Sequence, residues 1–364
     1  MKIATVLGTR PEIIRLSRII AALDKSADHI LVHTGQNFEH MLSEVFFREL
    51  GVRAPNYELG IKAETVGQQI AQILEKCEQI FATEKPDRLL ILGDTNSALC
   101  AIIAKRMNIP VYHMEAGNRC YDDKVPEEIN RRLIDHASDV LMPYTNRSRN
   151  NLLYEGIPGN RIFVTGNPIL EVLEHYRQNI ENAAIFDTLS LQPRNYFLVT
   201  LHRAENVDVE PRLQSFAKAL EMLGNRWRLP VVMSVHPRTA ARMMHFRIEM
   251  AGKHIRLQKP FGYFDFIKLA KNAACVLSDS GTVQEECAIL NVPCVTLRDV
   301  TERPETIECG SNILCGAAPE LIVSCVDTVL QHPPNWVPPP EYLVRNVSEI
   351  VKRILAGHAP FSRS

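Results

Sequence analysis

Short apolar runs alternate with segments of helical apolar spacing along nearly the whole chain. Arg88–Leu92 and Val111–Met114 have the length of strands, and residues 96–107 between them have the spacing of a helix. Parallel strands need such crossovers, and the helices then cover both faces of the sheet. A chain of 364 residues also exceeds what one core usually supports. The pattern therefore predicts an α/β fold with two parallel sheets.

The alternation breaks once, across the mixed and proline-interrupted residues 167–195, and then starts again. Two sheets of similar size predict two Rossmann-like domains with a cleft between them. Near the end of the chain, the PPNWVPPP segment at 333–340 predicts a stiff connector, and a last helix follows at about 347–355. The expected divisions are an N-terminal domain at 1–167, a C-terminal domain at 168–345, and a C-terminal helix within 346–364 that packs back on the N-terminal domain.

Composition argues against several classes of protein. The formal net charge of −1 gives no basic surplus for nucleic acid or an anionic membrane. No apolar run approaches the roughly 20 residues that span a bilayer, and the N-terminus lacks the pattern of a signal peptide. Nine cysteines without a CxxC pair fit reduced, buried thiols in a cytoplasmic protein. The GxGxxG fingerprint and the GxxxxGK[ST] loop are absent from the sequence.

Three acids stand at positions suited to proton chemistry. Asp94 follows Arg88–Leu92 after one glycine, Glu115 follows Val111–Met114 directly, and Glu127 opens a helix. Ligands of open parallel sheets bind outside the carboxyl ends of the strands. Carboxylates that cluster there raise one another's pKa, which makes one of them a usable base near neutral pH.

Each of these acids also has a structural explanation. Asp94 can cap the helix that starts near Asn96, and Glu127 can be a first-turn acid paired with Arg131. Glu115 has no local partner in the sequence, because Ala and Gly follow it. Glu115 is therefore the hardest of the three to explain by structure alone.

Two strand-to-helix turns have the residues of anion sites. The first, GTRPE at 8–12, carries Arg10, with Arg15 further along the helix; the second is SDSGT at 278–282. Helix N-termini and arginine both bind phosphate. In the second turn Ser280, Gly281 and Thr282 are the phosphate candidates, and Glu286 is a candidate for ribose hydroxyls. Either turn can instead be purely structural, the first as an ordinary helix start with Pro and Glu in its first turn, and the second as a Ser/Thr cap.

Two histidines and two arginines complete the candidates in the second half. His202 ends the strand near 196–201, where an imidazole can protonate a leaving phosphate, and His236 is similarly placed. Each histidine can instead be a hydrogen-bonded loop residue. Arg298 and Arg303 can hold a phosphate or pair with the two acids that lie between them.

Seven motifs in order resemble those of the non-hydrolysing UDP-N-acetylglucosamine 2-epimerases. They are GTRPEIIRLS, GDTNSALC, HMEAGNRC, VPEEINRR, LHRAENVD, LSDSGTVQEE and LRDVTERPE. The resemblance implies a GT-B arrangement with the active site in the interdomain cleft, a homodimer, and an isomerase that needs no metal, nicotinamide or other cofactor. It also implies that a base removes the C2 proton of a UDP-acetamido sugar, UDP leaves to give a glycal, and UDP re-adds after a proton returns to the opposite face.

The resemblance also assigns roles by motif position. Asp94, Glu115 and Glu127 would serve the proton transfers, and His202 would assist the departure of UDP. By the same motifs, UDP would be held by Arg10, Arg15, Ser280, Gly281, Thr282, Glu286 and Arg303. His236 and Phe266, which lie outside the seven motifs, are also expected contacts to UDP or the sugar.

This chain departs from the family pattern at three places. Arg15 stands where the motif typically has Lys, and residues 35–40 lack the Gln-His-Arg motif of many bacterial members, which is linked to an activating UDP-N-acetylglucosamine site. The loop at 118–126 is also shorter than usual. The combination is closest to the subgroup that acts on 6-deoxy UDP-acetamido sugars in polysaccharide biosynthesis, such as the enzymes of the UDP-N-acetyl-L-fucosamine type. A hydrolysing 2-epimerase, a GT-B glycosyltransferase and a UDP-sugar-binding regulator are the competing hypotheses.

Overall fold

The computed structural model describes residues 1–35 and 40–357, without the side chains of residues 40–43. The chain forms two compact units. Unit 1 contains Met1–His175 and the chain from Pro340 onwards, and unit 2 is Tyr176–Pro339. The chain therefore passes between the units near His175 and again near Pro339, whereas the sequence placed these crossings near 167 and 345.

Unit 1 is built on a six-stranded parallel sheet. Its strands are β1 (Lys2–Leu7), β2 (Asp28–His33), β3 (Tyr57–Glu58), β4 (Arg88–Leu92), β5 (Val111–Met114) and β6 (Val140–Met142). They pair in the order β3-β2-β1-β4-β5-β6. Because helices cover both faces, the strands are buried on both sides and have continuous apolar sequences, such as LLIL in β4.

The helices of unit 1 come from both ends of the chain. They are α1 (Arg10–Leu23), α2 (His40–Glu49), α3 (Val66–Glu84), α4 (Cys100–Arg106), α5 (Pro126–Ala137), α6 (Asn146–Tyr154), α7 (Ile169–His175) and the last helix of the chain, Val347–Gly357. The last helix packs against α1, and its Ser348 backbone donates to Glu171 on α7 at 2.9 Å. One core of this unit lies between α3, α4 and the sheet.

Unit 2 repeats the architecture with a second six-stranded parallel sheet. Its strands are β7 (Phe197–Leu201), β8 (Val231–Val235), β9 (Ile255–Gln258), β10 (Cys275–Ser278), β11 (Cys294–Thr296) and β12 (Asn312–Leu314). Its helices are α8 (Arg177–Asn182), α9 (Ile185–Leu189), α10 (Ala204–Val207), α11 (Glu210–Trp227), α12 (Pro237–Phe246), α13 (Tyr263–Asn272), α14 (Gly281–Leu290), α15 (Pro304–Glu308) and α16 (Pro319–Leu330). The last helix of the chain, in unit 1, is then α17.

Both sheets have the same strand order when the strands of each unit are counted from its start. The order in unit 2 is β12-β11-β10-β7-β8-β9, which matches the 3-2-1-4-5-6 order of unit 1 read from the other edge. The prediction of an α/β fold with two Rossmann-like domains is confirmed. In this fold the order of strands reverses at one place in each sheet. The first switch point lies between β1 and β4 in unit 1, and the second switch point lies between β7 and β10 in unit 2. Ligand sites are expected at the carboxyl ends of those strands.

Two local expectations need correction. The apolar run at 162–164 predicts a further strand, but in the structure it forms one isolated parallel bridge, between Ile162 and Leu141. The mixed stretch at 167–195 contains α7, α8 and α9, whose short sequences give little periodic signal. Within the described residues, no helix combines the length and the apolar composition needed to cross a lipid bilayer.

Candidate functional site

The first switch point brings Glu12 of α1 beside the loop that follows β4. Glu12 is buried, and its carboxyl group accepts from the backbone nitrogens of Gly8 and Thr9 at 3.1 and 2.8 Å. The hydroxyl groups of Thr9 and Thr95 donate to it at 2.7 and 3.2 Å. Burial raises the pKa of Glu12, and these four hydrogen bonds offset only part of the rise, so that the pKa is about 7. The carboxyl group thus ties the turn that carries Arg10 to the loop after β4.

Replacing Glu12 by Gln should remove a pH dependence of stability. The pKa of Glu12 is about 7 in the folded protein, against an ordinary value of 4.5. Between these two pH values, the folded state therefore keeps a proton that the unfolded state has lost. The stabilising contribution of Glu12 is therefore complete below pH 4.5 and is lost as the pH rises through 7. From pH 5 to pH 8 the wild type should lose about 2–3 kcal/mol relative to Glu12→Gln, measured by urea unfolding. Equal changes in both proteins would contradict this.

Glu115 lies at the carboxyl end of β5 in a left-handed conformation, with φ of +63°. Its Oε2 is 2.5 Å from Nη1 of Arg15, and both side chains are buried. Asn118 donates to its Oε1 at 3.3 Å. The Arg15 guanidinium also lies 5.9 Å from the centre of the Tyr144 ring. Glu115 therefore does have a partner, which sequence reasoning missed because Arg15 precedes it by 100 residues.

Asp94 also faces an arginine, at the carboxyl end of β4. Its Oδ2 is 2.6 Å from Nη2 of Arg131, which lies on α5. The backbone oxygen of Asp94 accepts from Asn130 at 2.9 Å. On the same helix, Arg131 pairs with buried Glu128, while Glu127 is half-buried in the first turn. Glu12, which was not among the three candidate acids, has a raised carboxyl pKa, and its cause is burial rather than a neighbouring carboxylate.

The second switch point holds His202 against a buried carboxylate. Nδ1 of His202 is 3.0 Å from Oδ1 of Asp279, and Asp279 also accepts from the backbone nitrogens of His202 and Arg203, each at 2.9 Å. Asn206 donates to the same carboxylate at 3.0 Å. Burial would raise the pKa of Asp279, but the charge of His202 and these donors hold it below its usual range. Asp279 therefore fixes Nδ1 and leaves Nε2 of the half-exposed imidazole for a ligand.

The N-terminus of α14 follows directly after Asp279. Ser280 is its N-cap residue, and Gly281 and Thr282 begin the helix. A Cβ at Gly281 would lie 2.8 Å from Oε1 of Glu302, so a side chain at this position would displace a buried carboxylate. Glycine here keeps the first turn close to the loop after β11.

The substitution Gly281→Ala should destabilise unit 2 by about 1–3 kcal/mol, because overpacking forces its neighbours to move. Gly67→Ala is the matched control, since a Cβ there has only Thr65 Oγ1 at 4.0 Å. Thermal unfolding followed by circular dichroism measures both. A Gly281→Ala protein as stable as Gly67→Ala would show that the contact with Glu302 is relaxed at no cost.

Of the two arginines in the loop after β11, Arg298 has a partner that was expected and Arg303 has one that was not. Nε of Arg303 bonds to buried Glu285 on α14, and Nη1 of Arg298 lies 2.8 Å from Glu302. Asp299 pairs with Arg212 of α11 at 2.8 Å. The expectation that Arg298 can pair within its own loop is confirmed for Glu302, while Asp299 binds an arginine far earlier in the chain. Sequence spacing alone does not specify such pairs.

Four candidates remain, and one of them lies beside His202. His236 caps α12, and its ring centre is 5.6 Å from that of His202. Glu286 is buried on α14, and Phe266 packs against an apolar core of unit 2. Arg10 opens α1, with its guanidinium 5.8 Å from the centre of the Phe46 ring.

Comparison with known proteins identifies the family. The sequence profile described as UDP-N-acetylglucosamine 2-epimerase matches residues 21–356. The chain belongs to the UDP-N-acetylglucosamine 2-epimerase family. It is 43% identical over 348 residues to the UDP-N-acetylglucosamine 2-epimerase of Methanocaldococcus jannaschii, covering 93% of this chain and 95% of that protein. The family resemblance drawn from the seven motifs is confirmed.

A solved structure of the same relative and one further relative extend the comparison. The crystal structure of the M. jannaschii enzyme in complex with UDP-GlcNAc and UDP superposes with a TM-score of 0.94 at 41% identity, covering 98% of this chain and 100% of that chain. The UDP-2,3-diacetamido-2,3-dideoxy-D-glucuronate 2-epimerase of Pseudomonas aeruginosa is 38% identical, covering 91% of this chain and 92% of that protein. Both relatives are 2-epimerases, which are isomerases, and the fold of the family is GT-B-like.

Several residues near these strand ends were missed by the sequence analysis. Asp279 had the signal that identified Asp94, an acid just after a buried strand, and Glu12 forms a capping box with Thr9. Asn118 and Arg131 gave no separate signal. The residues that bear on the activating site, 36–39, lie outside the described part of the chain. Among the described residues, there is no group of three or more His, Cys, Asp or Glu side chains suited to a metal ion.

Proposed function

We propose that this protein interconverts UDP-N-acetylglucosamine and UDP-N-acetylmannosamine by inverting C2 of the sugar. The observation that carries the proposal is the full-length likeness to the M. jannaschii enzyme, whose crystal structure holds UDP-GlcNAc and UDP. The proposed reaction is an anti elimination of UDP to a glycal, followed by re-addition. It needs a base and an acid near C2 and an environment that favours the departing diphosphate.

The acids of unit 1 are the proposed proton carriers. Glu115 and Asp94 stand at the carboxyl ends of adjacent strands, and each is held by an arginine, Arg15 or Arg131. Glu127, in the first turn of α5, is the third proposed carrier. Inversion requires proton transfer at two opposite faces of C2, so two separate carriers must act.

The second switch point is the proposed UDP site. The departing diphosphate accumulates negative charge, which backbone N–H groups at a helix N-terminus and cationic side chains stabilise. Ser280, Gly281 and Thr282 open α14, and His202 can donate from Nε2 while Asp279 holds its Nδ1. The proposal extends to the other expected contacts, which are Arg10, Arg15, His236, Phe266, Glu286 and Arg303.

Incubation with UDP-N-acetylglucosamine in heavy water tests the proposal. An epimerase exchanges the C2 proton for deuterium while the sugar stays on UDP, and proton NMR follows both events. Free N-acetylmannosamine as the main product would identify a hydrolysing 2-epimerase instead. Transfer to an added acceptor would indicate a glycosyltransferase, and UDP-sugar binding without exchange would indicate a regulator.

A second candidate for the physiological substrate is a modified UDP-acetamido sugar. The short loop at 118–126 favours it, and so does the 38% identity to an enzyme named for a diacetamido uronate. The same exchange assay on UDP-N-acetylglucosamine, 6-deoxy UDP-acetamido sugars and a UDP-2,3-diacetamido uronate decides between them. The physiological substrate should have the highest kcat/KM for loss of the C2 proton.

Homodimerisation, a cytoplasmic location and a role in polysaccharide biosynthesis are also proposed, and the family resemblance supports them. Light scattering after size exclusion tests the first of these. A mass twice that of one chain is expected, and a mass equal to one chain would contradict the dimer.

A further inference from the structure

His113 lies buried in β5, two residues before Glu115, and both of its ring nitrogens face acceptors. Nδ1 is 2.8 Å from Oδ1 of Asp135, which lies on α5. Nε2 is 2.9 Å from the backbone oxygen of Gly93, in the loop after β4. A carbonyl oxygen can only accept a hydrogen bond, so Nε2 must carry a hydrogen.

The other nitrogen faces a carboxylate already surrounded by donors. Oδ2 of Asp135 accepts from the backbone nitrogen of Gly117 at 3.1 Å and lies 2.8 Å from Nη2 of Arg119. Burial would raise the pKa of Asp135, but His113 and Arg119 hold it below its ordinary value. An ionised carboxylate only accepts hydrogen bonds, so Nδ1 of His113 must carry a hydrogen as well.

The pair joins the two loops that carry the proposed proton carriers. Through Gly93 the imidazole holds the residue next to Asp94, and through Gly117 the Asp135 carboxylate holds the residue two positions after Glu115. We propose that His113, protonated on both nitrogens, and Asp135 form a buried ion pair that positions Asp94 and Glu115 for proton transfer. This inference rests on the proposed function, because it assumes that these two acids act on the substrate.

The backbone conformation of both loops explains why such an anchor is needed. Gly93, Glu115 and Gly117 have φ values of +75°, +63° and +78°. A left-handed conformation at a non-glycine residue such as Glu115 is unfavourable unless its surroundings fix it. A Cβ at Gly117 would lie 2.2 Å from the backbone oxygen of Ser148, so the second loop packs directly against the backbone of α6 and admits only glycine there. The ion pair supplies fixed hydrogen bonds on both sides of Glu115.

Charged groups on the neighbouring elements balance the pair. Arg119, in the loop after β5, bonds through Nε and Nη2 to the two carboxylate oxygens of Glu155 at 2.7 and 2.6 Å. Four side chains are therefore in contact one after another, and their charges alternate in sign: His113, Asp135, Arg119 and Glu155. A buried charge needs such compensation.

The first experiment reads the protonation of His113 in the whole wild-type protein. With 15N-labelled histidine, long-range proton–nitrogen NMR distinguishes an imidazole with hydrogen on both nitrogens from either neutral tautomer, and His113→Gln assigns the signal. Both nitrogens should carry hydrogen, as the two acceptors require. A neutral imidazole would overturn the proposal, whether or not the protein exchanges the C2 proton.

The second experiment separates positioning from a merely structural role. His113→Gln can bond to only one of the two acceptors with its short amide, so we expect kcat for C2 exchange to fall about 100-fold, as for a small misplacement of reacting groups. KM and the dissociation constant of UDP should stay near the wild-type values. A wild-type kcat in His113→Gln would overturn the proposal.

His29→Gln is the matched control. His29 is also buried and also bonds an aspartate through Nδ1, at 2.6 Å to Asp24, and Thr5 through Nε2 at 2.8 Å, but it lies at the amino end of its strand. Its kcat should stay at the wild-type value, and an equal loss in both variants would overturn the positioning role. Absence of C2 exchange in the wild type would refute the proposed function, while the NMR result still decides the state of His113.

Discussion

Replacing Glu115 by Gln should reduce C2 deuterium exchange by about 1000-fold, within the range of 10²–10⁴ that a positioned base contributes. Glutamine keeps the shape of the side chain and its contact with Asn118, but it cannot accept a proton from carbon. It also removes the charge that faces Arg15 at 2.5 Å. The measurement is the rate of C2 proton loss by NMR, together with the dissociation constant of UDP from calorimetry, which should not change.

Two further variants separate the chemistry of Glu115 from the loss of an ion pair. Glu84→Gln makes the same substitution at a carboxylate that pairs with Lys2 at 3.0 Å, at the amino end of β1, and it should retain full exchange. Arg15→Lys keeps the charge opposite Glu115 with the residue typical of the family, so it should exchange far faster than Glu115→Gln. Rapid exchange by Glu115→Gln would remove Glu115 from the proposed proton carriers.

Replacing Asp279 by Asn should lower kcat by about 10²–10⁴-fold, since the equivalent change behind a catalytic histidine costs about 10⁴ in a serine protease. Asp279 accepts from four donors, so an amide nitrogen in its place must face at least one of them. The imidazole of His202 then loses the carboxylate charge that orients it. Single-turnover kinetics with UDP-N-acetylglucosamine measure the loss.

Asp327→Asn provides the matched control in the same unit. Asp327 pairs with Arg226 at 2.7 Å and accepts from Trp227 at 3.1 Å, on the outer helices of unit 2. The Asp327→Asn variant also loses an ion pair, but it should retain the wild-type kcat. If Asp279→Asn turned over as fast as Asp327→Asn, His202 would need no orienting carboxylate, and its assigned role in UDP departure would be wrong.

Local patterns were sufficient to predict the elements that position the site. The apolar spacing at about 66–84 predicts a helix with the bounds that α3 has in the structure, because the periodic run is long and Thr65 caps its first turn. The strand β4 was equally clear, since a strand covered on both faces is apolar throughout. The placement of Asp94 and Glu115 after their strands followed from these elements.

Partners that come together only in the folded chain could not be predicted in the same way. His202 and Asp279 are 77 residues apart, and Arg15 precedes Glu115 by 100. Nothing in the spacing of either pair favours that partner over other acids or arginines. The raised pKa of Glu12 could not be predicted either, because it depends on how fully the side chain is buried rather than on its neighbours in sequence.

The return of the chain to unit 1 has a consequence for its synthesis. Unit 2 is continuous from Tyr176 to Pro339, whereas unit 1 receives α17, with buried Val351 and Leu355, only from the far end. On a translating ribosome, therefore, the second unit has all its residues before the first does, which reverses the usual N-terminal-first order of folding. Until those last residues emerge, the face of α1 that α17 covers lacks its packing partner.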